Sequence, residues 1–563
     1  MMSIIKFKLR TAVLLAIVCL AILNVRAFLW HPFELEGQSL DNDLVSISGV
    51  VHVHTTLSDG RATPEQVIEA ARAAGLSFVV ITDHGTLDAK HLEGYHGDLL
   101  VIVGTETSTV SGHLLGVGIP DPDLKFSGNP RDTLEDIRDF GGSAVVAHPM
   151  SPHKDFRWSG WKLPGSWGLE LINLDSMRRT TGWLNMLKIT FLSGLNPRYA
   201  ALRFLTTPEK TLKQWDTMLA KRDVAGFAGV DAHLAYELLF GLVKTHLFLD
   251  EPLSLDPIRD TAAILRALTD GRFYIGVDGL APAQGFFAVI ERKGERWSLG
   301  ETIPLIPDLT LRAGGRLPRA SRLRVLKDGI VATEEDGSVQ LNSLKEGVYR
   351  IEVRLPGWDM PWILSNPIYV FTPDQIEARE RRAGWPPEPK QPLSTEPLDL
   401  FEDASILSPE FDASSLVTFK IISSSSQQHG QGIGQMQFSL GVPTPEQVDT
   451  WCALVNRKQR DFSGKTGLTF AVKADGDYRF WAQVRDKNPT LMPDGTETWL
   501  SSVRASLDWR RITVRFSDMH SPHENSDGQL DLDKIQMLAF TMDPGSVKPG
   551  TTGTIWLDDL RVY

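Results

Sequence analysis

The sequence predicts a multidomain protein in which an α/β domain, either a (β/α) barrel or a doubly wound sheet, precedes two all-β regions. Apolar strands alternate with amphipathic helices over residues 45–285. Residues 286–372 and 399–563 instead show short segments of period-two alternation, which is typical of packed sheets. A chain of 563 residues is also too long for a single hydrophobic core.

The composition is that of a folded globular protein, with 42% hydrophobic and 23% charged residues. The formal net charge of −12 argues against a nucleic-acid-binding protein, which would need a basic surface. The two cysteines, Cys19 and Cys452, leave the folded part with one thiol and no internal disulfide. Any metal site must therefore use histidine and carboxylate side chains.

The N-terminus carries the pattern of an export signal. Lys6, Lys8 and Arg10 precede an apolar run from Thr11 to Val25. This run has the length of the apolar part of a signal peptide and falls short of the roughly 20 residues that span a bilayer. Residues 1–30 are therefore predicted to be a signal peptide or an uncleaved membrane anchor. The protein is expected to be exported to the periplasm or cell surface, with the membrane as a partner of its N-terminus.

The first strand of the α/β domain is predicted to carry two histidines, His52 and His54, with Asp59 shortly after them. Because strand side chains alternate, the two imidazoles would lie on one face. Imidazole nitrogens with a nearby carboxylate are ligands for a divalent cation. Two half-buried histidines without a metal would give the same pattern.

Further polar residues follow the apolar strands at their carboxyl ends. They are Asp83, His84, Glu106, His148, Asp231 and His233. In barrels the catalytic groups gather at that end of the strands, whereas structural histidines have no reason to share it. The pattern therefore predicts a catalytic site there, with Asp83 orienting a ligand imidazole.

Six motifs follow one another along this domain: HVHTTLSDG, TDHG, GTE, GHLLG, AHP and GVDAH. In this order they resemble the PHP (polymerase and histidinol phosphatase) family of metal-dependent hydrolases, and within it the CehA/McbA-type metallohydrolases. The resemblance covers residues 45–285 and extends more loosely to about residue 372. It implies a distorted, TIM-like (β/α)7 barrel that binds two or three divalent ions.

The resemblance also assigns nine ligands to three metals. They are His52, His54, Glu106 and Asp231 for the first, Glu106, His113 and His148 for the second, and Asp59, His84 and His233 for the third. The four ligands of the first metal form the catalytic set. Manganese, zinc and iron are all candidates, but Asp59 stands where some relatives have histidine, and its oxygen favours manganese or iron over zinc.

Metal ions at such a site lower the pKa of a bridging water towards about 7, so that hydroxide forms at neutral pH. The leading interpretation is that this metal-bridging hydroxide hydrolyses a small-molecule phosphoester. A carboxylester or carbamate hydrolase on the same metals is the alternative, because both reactions pass through charged intermediates that metals stabilise. A third interpretation is a non-catalytic glycan-binding protein of the cell envelope.

The loop after His148 is the candidate substrate-binding segment. Lys154, Arg157 and Trp158 combine cations with an indole ring, which suits a phosphate attached to a ring. A solvated loop with a packed tryptophan is the alternative.

Two features downstream of this loop also bear on the site. Arg178 and Arg179 are weaker candidates for substrate binding. Apolar helices are predicted at Trp183–Leu192 and Tyr199–Leu205, where they could form a lid or a membrane-facing collar.

Residues 286–372 predict a small β-sandwich, and the charged, proline-rich residues 373–398 predict an extended linker. Residues 399–563 resemble the galactose-binding-like jelly-roll modules of carbohydrate-binding proteins. Similar modules hold a structural calcium, and the candidate ligands are Glu402, Asp403 and Asp558.

The same region could bind a glycan. Trp481 or Trp499, if exposed, could stack on a sugar ring. A packing module without any ligand is the alternative.

Overall fold

A computed structural model describes residues 18, 25–37, 45–120, 125–165, 167–384, 392, 394–402, 405–423, 432–488, 495–523 and 525–563. The chain divides into two compact units. The first comprises residues 1–122 and 133–385, and the second comprises residues 123–132 and 386–563. The protein is therefore multidomain, as the sequence predicts.

Seven strands of the first unit form a closed barrel. They are β1 (Val45–Val53), β2 (Phe78–Ile81), β3 (Leu99–Thr109), β4 (Gly112–Val117), β5 (Ser143–Val146), β6 (Gly168–Asn173) and β7 (Gly226–Ala232). Parallel pairing of β7 with β1, at Gly229 and Val51, closes the sheet. The core beneath it includes Phe78, Ile102 and Phe227.

Helix α1 (Pro64–Ala73) lies between β1 and β2 and begins with a capping box. Thr63 Oγ1 accepts a hydrogen bond from the backbone N–H of Gln66, and Gln66 Oε1 accepts one from the N–H of Thr63. This capping box satisfies two donors that the helix would otherwise leave free. The helix then buries Val67, Ile68 and Ala71.

The barrel has fewer helices around it than the predicted TIM-like (β/α)7 barrel. The further helices are α2 (Pro130–Asp139), of which residues 133–139 belong to the first unit, and, wholly within that unit, α3 (Leu174–Thr180), α4 (Trp183–Ser193), α5 (Pro197–Leu202), α6 (Glu209–Leu219), α7 (Tyr236–Phe240), α8 (Pro257–Asp270) and α9 (Pro373–Ala383). Only a 3-10 turn, Asp88–Leu92, and the short strand Gly94–His96 lie between β2 and β3. Strand β4 is antiparallel to both β3 and β5, and a two-residue turn joins it to β3. A turn of that length leaves no chain for a crossover helix.

The region 286–372 is built of strands and lies in the same compact unit as the barrel. Strands β8 (Lys244–Leu249) and β9 (Phe273–Gly276) extend the barrel sheet from β1, and Ile363–Ser365 pairs with β9. The other strands are Phe286–Arg292, Glu295–Trp297, Thr302–Pro304, Thr310–Gly315, Leu317–Pro318, Arg322–Lys327, Ile330–Asp336, Val339–Asn342, Gly347–Arg354 and Ile368–Phe371, and Leu35–Glu36 pairs with Leu317–Pro318. Part of the region continues the barrel sheet and covers the backbone edge that β9 would otherwise leave open. Four of its strands form a separate sheet, namely Glu295–Trp297, Phe286–Arg292, Thr310–Gly315 and Val339–Asn342.

Residues 373–398 are not extended throughout. Helix α9 starts at Thr372, whose side chain and that of Gln375 form a second capping box. The guanidinium of Arg379 donates to Asp223 over 2.6 Å, which packs the helix against the first unit. The prediction of an extended linker is therefore wrong for this half of the segment.

The second unit is an antiparallel β-sandwich, which confirms the all-β prediction for this region. One sheet contains Glu396–Asp399, Leu416–Ser423, Gly432–Ser439, Gly467–Ala474, Arg510–Arg515 and Thr552–Val562. The other contains Ser408–Phe411, Cys452–Asn456, Tyr478–Lys487, Thr496–Ala505 and Ile535–Met542. The rings of Phe470 and Phe540, one from each sheet, meet in its core at 4.9 Å between centroids.

The predicted signal peptide or anchor at residues 1–30 falls largely outside the described residues, of which 25–29 are helical. Among the residues that are described, no helix combines the length and the apolar character needed to cross a bilayer.

Candidate metal centre

His52 and His54 lie at the end of β1, where the strand is irregular. The pairing of β1 with β7 shifts register between Val51 and Val53, and His52 has a left-handed φ of 71°. The Nε2 atoms of His52 and His54 are 3.1 Å apart, and both side chains are fully buried. The imidazoles therefore meet as predicted, but a β-bulge rather than regular alternation brings them together.

Glu106 projects from the part of β3 that extends beyond β2 and pairs with β4. Its Oε2 lies 3.0 Å from Nε2 of His52 and 3.1 Å from Nε2 of His54. Its Oε1 lies 2.7 Å from Nδ1 of His113 and 2.8 Å from Nε2 of His148. One buried carboxylate thus contacts imidazoles on both of its oxygens.

Asp231 reaches the same point from the end of β7. Its Oδ1 is 3.3 Å from Nε2 of both His52 and His54. Like His52, it has a positive φ, here 49°, as has His148 with 29°. Non-glycine residues rarely adopt this conformation, and such strain is typically found at functional sites.

The donor atoms fall into three groups, and within each group they lie within 4.8 Å of one another. These groups are His52, His54, Glu106 and Asp231; His84, Glu106 and His113; and His54, Asp59, His84 and His233. His148 joins the second group through its contact with Glu106. In the third group, Asp59 Oδ1 lies 3.2 Å from Nε2 of His233 and 3.8 Å from Nε2 of His84. All nine predicted ligands are therefore brought together.

The arrangement of these donors suits a cation better than it suits hydrogen bonds among the donors. Two imidazole Nε2 atoms face each other in His52 and His54, and a single proton at most can lie between them. Within the described part of the chain, the buried Nδ1 atoms of His54 and His148 have no hydrogen-bond partner. Nitrogen and carboxylate donors of this kind are suited to divalent transition metals, so the cluster could hold metal ions.

The charges in the cluster depend strongly on one another. Burial opposes protonation of His52, but Asp231, Glu170 and Glu106 hold its pKa well above the usual value. Burial likewise opposes ionisation of Glu106, yet His52, His113 and His148 hold its pKa well below the usual value. In the metal-free centre an ionised Glu106 therefore faces a protonated His52, and a cation would have to replace that proton.

Glu170 belongs to this centre and is missed by the sequence analysis. Its Oε1 lies 2.6 Å from Nδ1 of His52, and its Oε2 accepts hydrogen bonds from the backbone N–H of His148 and from Nδ2 of Asn173. Glu170 thereby orients two imidazole-bearing residues at once. The available signal is a single carboxylate inside the otherwise apolar strand β6.

No model of a known protein family matches the chain. A two-domain protein of Bacteroides vulgatus, which contains a predicted PHP-like metal-dependent phosphoesterase, aligns over 60% of this chain and 98% of its own, with 15% identity and a TM-score of 0.29. A family 11 carbohydrate-binding module of a Clostridium thermocellum cellulase aligns over 31% of this chain and 95% of its own, with 19% identity and a TM-score of 0.24.

A sequence relative is the uncharacterized protein MJ1587 of Methanocaldococcus jannaschii. It is 31% identical over an alignment of 117 residues, and the match covers 18% of this chain and 67% of that protein. The chain belongs to the family of MJ1587. The residues that the sequence predicts to bind substrate, calcium or sugar lie around the metal centre or in the second unit.

The loop after His148 places its aromatic residues differently from the prediction. Lys154 and Arg157 are exposed, but Trp158 is buried against Trp167, with 6.0 Å between ring centroids. Trp158 is therefore a packing residue whose indole is closed off from a substrate. Phe156, which the sequence analysis passes over, has its ring centroid 4.9 Å from that of His113.

The carboxylate of Asp83 accepts hydrogen bonds from a turn rather than from an imidazole. It accepts them from the N–H and Oγ1 of Thr55, both at 2.7 Å, and from Oγ of Ser58 at 2.6 Å. These bonds fix the turn that presents Asp59, so the predicted role for Asp83 is corrected.

Arg178 and Arg179 lie in α3, just after β6, and both pair with Asp175. Asp175 raises the pKa of Arg179, and the negative charges of Asp231 and Asp59 add to this effect. The Arg179 guanidinium is therefore within electrostatic reach of the metal donors.

Among the described residues, Glu402 and Asp558 do not belong to any group of candidate metal donors. Glu402 is exposed, Asp558 is buried, and Asp403 lies outside the described residues. Trp481 and Trp499 are both buried, and their indole N–H groups donate to Asp543 and Asp486. Sugar stacking on these two rings is therefore excluded in this conformation, while calcium and glycan binding stay predictions.

Proposed function

We propose that the first unit is a metal-dependent hydrolase of the PHP type that acts on small-molecule phosphoesters. The observation that carries this proposal is the environment of Glu106. Its two carboxylate oxygens each face a pair of imidazoles, His52 with His54 and His113 with His148. A carboxylate that offers one oxygen to each of two donor groups suits a ligand shared by two cations.

His52, His54, Glu106 and Asp231 would hold a first divalent ion, and the other donors would hold one or two more. When bound, such ions polarise a phosphoryl oxygen and lower the pKa of a water molecule. The chain itself contributes the orientation of the donors, since Glu170 fixes the ring of His52 through Nδ1. Manganese, zinc and iron all fit donors of this type.

A phosphoester is favoured over a neutral ester by the cations around the centre. Arg179 interacts electrostatically with Asp231 and Asp59. Lys154 and Arg157 are exposed on the loop that follows His148. Guanidinium groups bind phosphate oxygens in a bidentate manner. The ring of Phe156 beside His113 offers an apolar surface to the group that the phosphate carries.

The test is a substrate panel with the full-length protein loaded with Mn²⁺ or Zn²⁺: p-nitrophenyl phosphate, bis-p-nitrophenyl phosphate and p-nitrophenyl acetate. Variants His52→Ala and Asp231→Ala are compared with His91→Ala, which removes an exposed histidine outside the centre. We expect phosphoester turnover that is lost in the first two variants and kept in the third. Turnover of the acetate alone would identify a carboxylester hydrolase instead, and bound metal without any turnover would reject the hydrolase.

A further inference from the structure

An unusually apolar surface covers helix α4 and the helical residues 25–29. Its large side chains are between 51% and 71% exposed, and they are Phe28, Leu29, Trp183, Leu184, Leu187 and Phe191. We call this set the α4 surface. Single exposed apolar side chains are normal on a soluble protein, but six of them on two segments that the fold joins are typical of a contact with another apolar phase.

The two parts of the α4 surface are held together by the fold. Ala27 is fully buried in one cluster with Ile189 and Leu192 of α4. Nδ2 of Asn196 donates to the backbone oxygens of Ala27, at 3.1 Å, and Trp30, at 3.0 Å. Residues 25–30 are therefore fixed beside α4 rather than loosely attached.

Helix α4 is apolar on both of its sides. Ile189 and Leu192 face inward and are buried, while Trp183, Leu187 and Phe191 share the outward face. A surface helix of a soluble protein normally presents polar residues on that outward face. Lys188 is the sole charged residue of α4, and its other exposed polar residues, Asn185, Thr190 and Ser193, are small beside the exposed indole, leucine and phenylalanine side chains.

The chain before this surface indicates what covers it. The apolar run from Thr11 to Val25 leads directly into residues 25–29, and it contains no charged residue. Two exposed cations flank this surface. Arg26 belongs to the helical residues 25–29, and Arg198 follows Asn196 closely in α5. Apolar and indole side chains beside Lys and Arg suit the boundary between acyl chains and anionic headgroups.

We propose that the α4 surface docks on a lipid bilayer with anionic headgroups and lies in its interface. The outward side chains of α4 and residues 25–29 would enter the acyl boundary, roughly 5–10 Å deep, as an amphipathic helix of this kind does. The structure thus favours the membrane-facing collar over the lid that the sequence analysis left open.

Docking in this way would set the metal centre beside the membrane. Helix α4 starts three residues after α3 ends. Arg179 of α3 interacts electrostatically with Asp231 and Asp59 of the metal centre. A phosphoester at the headgroup level would then reach the centre without leaving the surface. This consequence rests on the proposed hydrolase function, whereas docking itself does not.

The experiment measures the depth of a nitroxide on α4. The full chain carries Cys19→Ser and Leu187→Cys, and the label is attached at position 187. Burial raises the pKa of the Cys452 thiol to about 12, which keeps it unreactive. The matched control carries the label at Lys213→Cys, an exposed position on α6. Both proteins are bound to vesicles of phosphatidylcholine and phosphatidylglycerol.

We expect the label at position 187 to collide more often with oxygen than with a water-soluble nickel chelate, and the label at 213 to show the reverse. An equal collision rate with the nickel chelate at both positions in vesicle-bound protein would overturn the proposal, since the N-terminal apolar run alone would then attach the protein to the membrane. Spin–spin broadening at position 187 without vesicles would also overturn it and assign the surface to a second copy of the chain. Neither readout requires turnover, so failure of docking and failure of the hydrolase are told apart.

Discussion

Glu170 and His52 are joined by a hydrogen bond of 2.6 Å between Oε1 and Nδ1, deep inside the barrel. The second oxygen of the same carboxylate accepts the backbone N–H of His148, also at 2.6 Å. Two strands that carry donors of the metal centre are thus tied to a third strand, β6. This carboxylate sets which nitrogen of His52 points at the centre, because the hydrogen-bonded Nδ1 leaves Nε2 free for a cation.

The first prediction concerns this hydrogen bond. Glu170→Gln keeps the shape of the side chain but removes the negative charge that supports His52. We expect metal affinity to fall by roughly 10–100-fold, measured by competition with a chelating dye. Glu335→Gln, at an exposed glutamate of the first unit, should leave the affinity unchanged. An unaltered affinity in a folded Glu170→Gln protein would refute the orienting role.

A second prediction concerns Gly229, which makes room for the same carboxylate. A Cβ atom at Gly229 would collide with the carboxylate of Glu170. Gly229→Ala should therefore displace Glu170, lower metal affinity, and reduce the free energy of unfolding by roughly 1–3 kcal/mol. Gly182→Ala is the control because a Cβ there meets no atom within 4 Å. Thermal unfolding with and without a chelator separates the two effects, and full metal affinity in Gly229→Ala would contradict the prediction.

The third prediction is a pH dependence of metal binding. Burial opposes protonation of His54, but hydrogen bonds with Asp231 and Glu106 raise its pKa from 6.5 to about 9 in the metal-free protein. This proton stabilises the metal-free fold fully below pH 6.5, and the stabilisation is lost as the pH rises through about 9. A cation must displace the proton, so apparent metal affinity should rise with pH up to about 9 and then level off.

Calorimetric titration in buffers of different ionisation enthalpy measures this proton release. At neutral pH the wild type should release more protons per metal ion bound than His54→Asn does, and His91→Asn should match the wild type. Binding heats that are independent of the buffer would show that no proton leaves and that the prediction fails.

The fourth prediction concerns the choice of metal. Asp59 supplies an oxygen to the third donor group beside two nitrogen donors, His84 and His233. Asp59→His replaces this oxygen by an imidazole nitrogen and should shift the bound metal towards zinc. Elemental analysis after equilibration with equimolar manganese and zinc measures the ratio. Asp98→His, at an exposed site, is the control, and an identical ratio in all three proteins would show that Asp59 does not bind the metal.

The sequence, through its resemblance to the PHP family, was sufficient to name the nine side chains that the structure brings together. Each follows an apolar strand or lies in a short motif, and strand ends at one edge of a barrel come close together whatever the details of packing. The resemblance to the PHP family also implied a seven-stranded barrel, which the structure shows. The metals themselves stay a prediction.

Only the tertiary structure showed how those donors are supported. Glu170 carries no local signal beyond one carboxylate in an apolar strand, and its partners lie on other strands, 118 residues away in the case of His52. Burial of Trp158, Trp481 and Trp499 likewise depends on neighbours that are distant in sequence. A side chain's type is local, whereas its exposure is a property of the whole fold.

Long-range pairing also decided the domain organisation. Alternation in residues 286–372 correctly indicates strands but does not say which sheet they join, and Ile363–Ser365 pairs with β9 of the barrel sheet. Residues 373–383 have helix-capping signals within a proline-rich stretch, and packing of Arg379 on Asp223 stabilises that helix. The sequence thus determined the chemistry available at each strand end, and the tertiary structure decided which groups meet, because contacts between distant segments depend on the closure of the sheet.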